Sequence, residues 1–306
     1  MTSTETSRSA TGTHLLLPEV LARIDNLELL AKTVVEGFLS GLHRSIYLGL
    51  SLDFAEHRPY MPGDDIRRID WRLFGRTDRH YIKLFEAETN ANFVVLLDVS
   101  RSMAYGTHSV TKLDYARYLA ACLTYFSRHQ RDRVGLITFD EDVVDYIPPS
   151  ARNLDLCLHT LHRAQASRAG ELRKPLLKAM ESLRRRGIVV LISDFYRDTE
   201  EVRESVRLLQ SPGHDVMVFH VMDPAELEFP FQGASNFRDM ESGEEVPLVP
   251  DKVREGYLGL LRDHRDVLAD RFTATQVDYS VLDTSKPLDQ ALFRFLLHRE
   301  KRSRVR

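Results

Sequence analysis

The feature that most restricts the fold of this chain is a repeated alternation, from residue 92 onward, of short apolar runs with longer amphipathic stretches. The runs 93–97 and 188–192 are apolar at every position, which is typical of strands buried on both faces of a parallel sheet. The stretches between such runs carry apolar residues at helical spacing. We therefore predict an α/β fold with a doubly wound, mostly parallel sheet.

The same pattern predicts the individual elements. Strands are expected at 93–97, 134–139, 143–147, 188–192, 216–221 and 277–282, and helices after Thr111 and over 154–164, 175–186, 199–211, 251–272 and 287–298. Thr111 and Asp114 have the spacing of a capping box, and Thr199 is expected to cap its helix. Gly187 is expected to end helix 175–186 as a left-handed cap.

Composition divides the chain into regions. Residues after position 40 form short aromatic-rich pieces broken by Pro and Gly, which favours a small β-rich unit. Phe229, Phe231 and a turn at 241–244 indicate a hairpin inserted between βα units. The predicted regions are a disordered leader (1–14), an amphipathic helix (15–40), a small β-rich N-terminal unit (41–91), an α/β domain (92–298) with a hairpin insertion (224–250), and a basic tail (299–306).

Charge and cysteine content narrow the class of protein. The 306 residues carry a formal charge of −3, so no field of one sign favours nucleic acid or an anionic membrane. Cys122 and Cys157 lie among apolar residues in helical patterns and are too few for a disulfide framework or a zinc site. The apolar runs are far shorter than the roughly 20 residues of a membrane helix. We expect a cytoplasmic protein without a membrane span or a nucleic-acid partner.

Oxygen-bearing side chains follow two of the predicted strands. Asp98, Ser100 and Ser102 come directly after the run 93–97, and Asp194 follows the run 188–192. Because parallel strands end at one edge of a sheet, these side chains are expected to meet there. Carboxylate and hydroxyl oxygens suit Mg²⁺, with Mn²⁺ or Ca²⁺ as alternatives. The competing interpretation is an ordinary turn with a helix cap, which also favours Ser and Asp.

The Asp-x-Ser-x-Ser sequence of Asp98, Ser100 and Ser102, with Asp194 after a later strand, resembles the metal-ion-dependent adhesion site (MIDAS) of von Willebrand factor type A domains. The resemblance implies a sheet of that type and a Mg²⁺ that keeps one position open for a carboxylate of a partner protein. Such sites usually add a Thr, which would fall near residues 169–171, where none is present. Ser167 and Glu171 are the nearby oxygen donors, so Glu171 is a candidate substitute.

A longer set of ordered motifs resembles the domain of unknown function 58 family. The motifs are 41–45 (GLHRS), 58–63 (RPYMPG), 64–71 (DDIRRIDW) and 97–103 (LDVSRSM). The resemblance implies a leading block coupled to a von Willebrand type A-like domain, and a partnership with a MoxR-type AAA+ ATPase. The segment 106–112 (GTHSVTK) lacks the Gly before Lys that a phosphate-binding loop needs, so we expect the ATPase partner to supply the energy.

Two features of the leading block remain open to two interpretations. Asp64, Asp65 and Asp70 alternate with arginines, so they are either a second metal or catalytic cluster or a set of ion pairs that attach the block to the main sheet. Trp71 is either a packing anchor between the two units or a ligand platform. Ion pairing and packing are the simpler interpretations.

These observations favour a non-enzymatic protein-binding adaptor. One alternative is a structural scaffold with a vestigial metal site, because the expected Thr is missing. A second is a metal-dependent phosphatase, which would need a second acid two residues after Asp98, where Ser100 stands.

Overall fold

The computed structural model describes residues 17–44, 57–59, 73–75, 79, 81–83 and 91–303. In the leading block, strand β1 (His57–Pro59) pairs antiparallel with β2 (Tyr81–Lys83). The predicted leader 1–14, the cluster Asp64, Asp65 and Asp70, and Trp71 lie outside the described residues. The two interpretations of that cluster therefore stay predictions.

A six-stranded sheet forms the centre of the α/β domain. Its strands are β3 (Asn92–Asp98), β4 (Arg133–Phe139), β5 (Val143–Ser150), β6 (Gly187–Ser193), β7 (Asp215–Met222) and β10 (Asp278–Asp283). They lie in the order β10-β7-β6-β3-β4-β5, and every neighbouring pair is parallel except β4 with β5. The predicted α/β fold with a doubly wound, mostly parallel sheet is confirmed.

Helices cover both faces of this sheet. They are α1 (Pro18–Leu21), α2 (Leu27–Arg44), α3 (Lys112–His129), α4 (Leu154–Arg163), α5 (Arg173–Ser182), α6 (Thr199–Gln210), α7 (Pro224–Glu228), α8 (Pro250–Ala274) and α9 (Asp289–Ser303). Phe93, Val95 and Leu97 of β3 pack with α2, α3, α4 and α9, whereas Val94 and Leu96 pack with α5, α6 and α8. Since both faces are covered, every position of the run is apolar.

The N-terminal helical region differs from the expectation of one helix over 15–40. The structure divides it into α1 and α2, with a break between them. The Asn26 side chain accepts a hydrogen bond from Leu29 N (2.9 Å) and so caps the start of α2. Leu30 and Val34 of α2 are buried in the core that includes α3.

Two helix starts and one helix end test the predicted boundaries. The capping box is confirmed, because Thr111 Oγ1 accepts from Asp114 N (3.1 Å) while Asp114 accepts from Thr111 N (3.2 Å). The cap of α6 is Asp198 and not Thr199, which is already the first helical residue. The expected tail 299–306 begins inside α9, where Arg299 forms an ion pair with the buried side chain of Asp132.

Gly187 has a different role from the predicted helix cap. Helix α5 ends at Ser182, and Gly187 is the first residue of β6, paired with Asn92 of β3. A Cβ atom built on Gly187 would lie 2.3 Å from the Asn92 carbonyl oxygen. The glycine is therefore needed because the two backbones approach too closely for any side chain.

Replacing Gly187 by Ala is expected to lower the free energy of unfolding by about 1–3 kcal/mol, because the added methyl group must push β6 away from β3. Urea unfolding followed by circular dichroism measures the change. Gly256→Ala is the matched control, since a Cβ at that position in α8 meets no atom within 4 Å. The control is expected to be neutral or stabilising by up to about 1 kcal/mol. Equal stability of the Gly187 variant and the wild type would contradict this explanation.

The hairpin lies where the sequence predicts an insertion. After α7, strands β8 (Ser235–Arg238) and β9 (Glu245–Leu248) pair antiparallel. At the far side of the main sheet, β5 is the outer strand, and its register against β4 shifts beside Pro148 and Pro149. Among the helices that the structure describes, none combines enough length and apolar character to cross a bilayer.

Candidate functional site

The topology of the sheet creates one point where strand order reverses. The chain leaves β3 toward β4 on one side, whereas it leaves β6 toward β7 on the other, and β3 and β6 are neighbours. Ligands of open α/β sheets bind outside the carboxyl ends of strands at such a point. Asp98 is the last residue of β3, and Asp194 directly follows β6. The structure thus places both carboxylates at the same edge.

Asp98 is held by hydrogen bonds on both oxygens. Oδ1 accepts from Ser100 N (2.8 Å), and Oδ2 accepts from Ser193 Oγ (2.6 Å). Burial, together with the nearby Asp194 carboxylate, raises the pKa of Asp98 to about 6. Asp98 and Asp194 are both buried, so the ionised form of Asp98 is disfavoured by the loss of water and by the second carboxylate beside it.

The two serines complete the predicted set. Ser100 Oγ and Ser102 Oγ lie 3.1 Å apart, and the Ser102 side chain contributes to lowering the pKa of Asp194. Two carboxylates and two hydroxyls therefore converge, which is a donor set that suits a hard cation such as Mg²⁺. Whether they bind a metal stays a prediction. Within the described ranges, no group of three or more His, Cys, Asp or Glu side chains is arranged to hold a metal ion.

Lys112 is a member of the site that the sequence interpretation missed. Its ammonium lies 2.7 Å from Asp194 Oδ2 and 2.8 Å from Glu226 Oε1, and the ring centre of Tyr196 is 4.7 Å away. The Lys112 side chain is 1% exposed. The only sequence signal is its place beside the Thr111 cap, in the first turn of a helix that is otherwise largely apolar.

The charges of this cluster compensate one another. Burial alone would raise the pKa of Asp194, but the Lys112 ammonium outweighs burial and lowers it. Burial alone would lower the pKa of Lys112, but Asp194 and Glu226 raise it. Burial raises the pKa of Glu226, and Lys112 offsets only part of that effect. A cation bound at this edge would therefore share Asp194 with an internal positive charge.

Glu241, at the tip of the inserted hairpin, is a second member that the sequence did not reveal. Its Oε1 accepts a hydrogen bond from Ser102 N (3.0 Å), and its Oε2 accepts one from Gly170 N (2.8 Å). Arg101 Nη1 also donates to the backbone carbonyl of Glu241 (3.3 Å). The sequence pattern identified residues 241–244 only as a turn, since nothing local in it points to a contact with residues 102 and 170.

The two oxygen donors of the segment 167–171 make local contacts, and their role as a substitute for the missing Thr stays a prediction. Glu171 accepts a hydrogen bond from Lys174 N (3.2 Å) in the first turn of α5. Ser167 contributes its backbone carbonyl to Arg101. A Cβ on Gly170 would lie 2.7 Å from Ser100 Cβ, so the glycine lets this segment approach the loop that follows β3.

A family model described as "Protein of unknown function DUF58" matches residues 56–267. The chain belongs to this family. The DUF58 chain is also 32% identical over 234 residues to the uncharacterised proteins Mb1516 of Mycobacterium bovis and Rv1480 of Mycobacterium tuberculosis, which covers 74% of this chain and 72% of each relative.

Solved structures similar to the DUF58 chain include the conserved hypothetical protein BatB from Bacteroides thetaiotaomicron. The identity is 17%, the TM-score is 0.46, and the match covers 69% of this chain and 99% of that one. The SpRpn10 VWA domain is 12% identical, with a TM-score of 0.40 and coverage of 66% and 92%. Membership of the DUF58 family rests on the family model, which matches residues 56–267.

Proposed function

We propose that this DUF58 chain is a non-enzymatic adaptor that binds an acidic side chain of a partner protein at the carboxyl-terminal edge of its sheet. The observation that supports the proposal is the convergence of Asp98, Ser100, Ser102 and Asp194 where strand order reverses. These side chains come from two strand ends, so the fold itself brings them together. Such a place binds ligands in open α/β sheets generally.

In this proposal the four side chains hold Mg²⁺, directly or through water. The bound cation supplies a positive charge and one open position for a carboxylate oxygen of the partner. The serines contribute neutral oxygens, and the aspartates contribute the negative charge. Asp194 would face both the cation and Lys112, whose ammonium lies 2.7 Å from Asp194 Oδ2.

The proposed partner is a MoxR-type AAA+ ATPase in the cytoplasm. The support is the resemblance of the leading-block and strand-end motifs to the DUF58 family. Lys112, the lysine of the segment 106–112, is buried and forms ion pairs with Asp194 and Glu226. It therefore does not resemble the phosphate-contacting lysine of an ATP-binding loop. An adaptor of this kind would depend on its partner for ATP hydrolysis.

Replacing Asp98 by Ala is expected to weaken Mg²⁺ binding by at least about tenfold, because the change removes one of two carboxylates of the site. Isothermal titration calorimetry on the full chain measures the affinity. Asp263→Ala is the matched control, because Asp263 is an exposed aspartate on α8. Unchanged Mg²⁺ affinity in the Asp98 variant would contradict the metal site. Affinity capture of the AAA+ ATPase with and without chelator then tests the partner.

A structural scaffold with a vestigial metal site is the second candidate. The observation that favours it is the ion pair of Lys112 with Asp194, which already neutralises one of the two carboxylates. Calorimetry separates the two candidates, because a vestigial site predicts no binding heat when Mg²⁺ or Mn²⁺ is added to the wild-type chain.

A further inference from the structure

The carboxylate of Glu241 occupies a binding position that the rest of the fold builds. The position consists of two backbone N–H groups, those of Ser102 and Gly170, referred to below as the amide pair. Each N–H donates to a different oxygen of the Glu241 carboxylate, at 3.0 Å and 2.8 Å. Hydrogen bonds from N–H groups to an ionised carboxylate are stronger than those between neutral groups. The amide pair is thus suited to a carboxylate whose two oxygens can each accept one hydrogen bond.

Contacts within the α/β domain hold the amide pair together without the hairpin. Arg101 N donates to the carbonyl of Arg168 (2.6 Å), and Ser100 forms a bridge with Arg168. These contacts join the loop after β3 to the segment before α5. The absence of a side chain on Gly170 permits the close approach to Ser100. Removal of Glu241 would therefore leave both N–H groups in place and without their acceptor.

The hairpin is attached firmly at its base and lightly at its tip. At the base, the Phe229 ring packs against Tyr257 of α8 (4.6 Å between centres), and Arg254 donates to the carbonyls of Phe229 and Phe231. At the tip, Asp239 accepts from Glu241 N (2.8 Å) and shapes the turn. The tip meets the strand-end loop through polar contacts of Glu241. A competing acid can replace such contacts while the apolar base stays packed.

We propose that Glu241 is an internal occupant of the amide pair, and that an acidic side chain of the partner binds there after displacing it. The inference rests on the proposed function for the class of ligand, a carboxylate carried by a protein or peptide. It adds that the site is closed by the chain's own hairpin in the free state. The apparent Kd of the partner is therefore the intrinsic Kd divided by the fraction of molecules in which Glu241 has left the amide pair.

The test is a titration of the ¹⁵N-labelled full chain with N-acetyl-glutamate amide in the presence of chelator. The amide resonances of Ser102 and Gly170 report binding. Glu241→Ala is expected to bind the probe at least about tenfold more tightly than the wild type, because the internal competitor is gone. Glu244→Ala is the matched control, since it removes an exposed carboxylate from the same turn. The control is expected to behave as the wild type does.

Equal affinity of the Glu241 variant and the wild type would overturn the inference, and so would a folded Glu241 variant whose Ser102 and Gly170 resonances do not respond. The chelator separates this result from the proposed cation. Tighter binding without metal supports the amide pair even if calorimetry finds no Mg²⁺ binding, an outcome that would contradict only the cation of the proposed function.

Discussion

Replacing Lys112 by Met is expected to lower the free energy of unfolding by roughly 3–5 kcal/mol, which is the usual cost of removing one partner from a buried ion pair. The Met side chain fills similar space but carries no charge. Asp194 and Glu226 would then remain close together with no cation between them, away from water. The loss comes mainly from these two stranded carboxylates and only in part from the missing hydrogen bonds.

Urea unfolding of the full chain measures this loss as a shift of the midpoint at constant slope. Lys178→Met is the control, because Lys178 also pairs with a carboxylate, that of Asp142, at 2.6 Å, but on the surface. Its effect is expected to be far smaller, since water and salt screen exposed pairs. Adding Asp194→Asn to the Lys112 variant should restore part of the loss. Similar losses for Lys112→Met and Lys178→Met would show that burial does not determine the energetics here.

Replacing His298 by Gln is expected to destabilise the protein by roughly 3 kcal/mol at pH 6, where the imidazolium is the positive partner of a buried pair. His298 of α9 contacts Asp215 of β7 (2.8 Å) and Asp278 of β10. Burial alone would lower the pKa of His298, but the two carboxylates outweigh burial and raise it. The contacts fasten the last helix to two adjacent strands of the sheet.

The sign of the pH dependence follows from the raised pKa of His298. The folded protein holds the proton more tightly than the unfolded chain, so the stabilisation is complete below the unfolded value of about 6.5. It is lost as the pH rises through the higher folded value. The stability difference between wild type and His298→Gln should therefore shrink from pH 6 to pH 9 in urea unfolding. The exposed His159→Gln of α4 should show no such trend, and a pH-independent difference for His298 would contradict the assignment.

Much of the fold follows from local signals along the chain. Strands β3 and β6 were predictable because every position of their apolar runs contacts a covering helix on one face or the other. The cap of α3 was predictable because Thr111 and Asp114 interact within a single turn. The shared edge of Asp98 and Asp194 followed from parallel strands ending on one side. In each case the determining interaction is local or is imposed by topology.

The rest depends on contacts between distant parts of the chain. Lys112 meets Asp194 and Glu226 across 82 and 114 positions, and Glu241 reaches Ser102 across 139 positions. The position of Gly187 after a helical pattern predicts a helix C-cap. A glycine is in fact required there because the backbone of β3 lies too close for a side chain. Local sequence patterns and residue propensities do not indicate which distant residues come into contact. The position of the site could therefore be predicted from the sequence, whereas the participation of Lys112 and Glu241 could not.

The outer strand of the sheet has a consequence for self-association. Pro148 and Pro149 lie near the end of β5, and neither has an N–H to offer a neighbouring molecule. A continuous row of unpaired N–H and C=O groups along an edge strand can pair with a strand of another molecule and so lead to aggregation. The two adjacent prolines interrupt this row of donors on β5, so they disfavour pairing of this sheet edge with a strand of a second molecule.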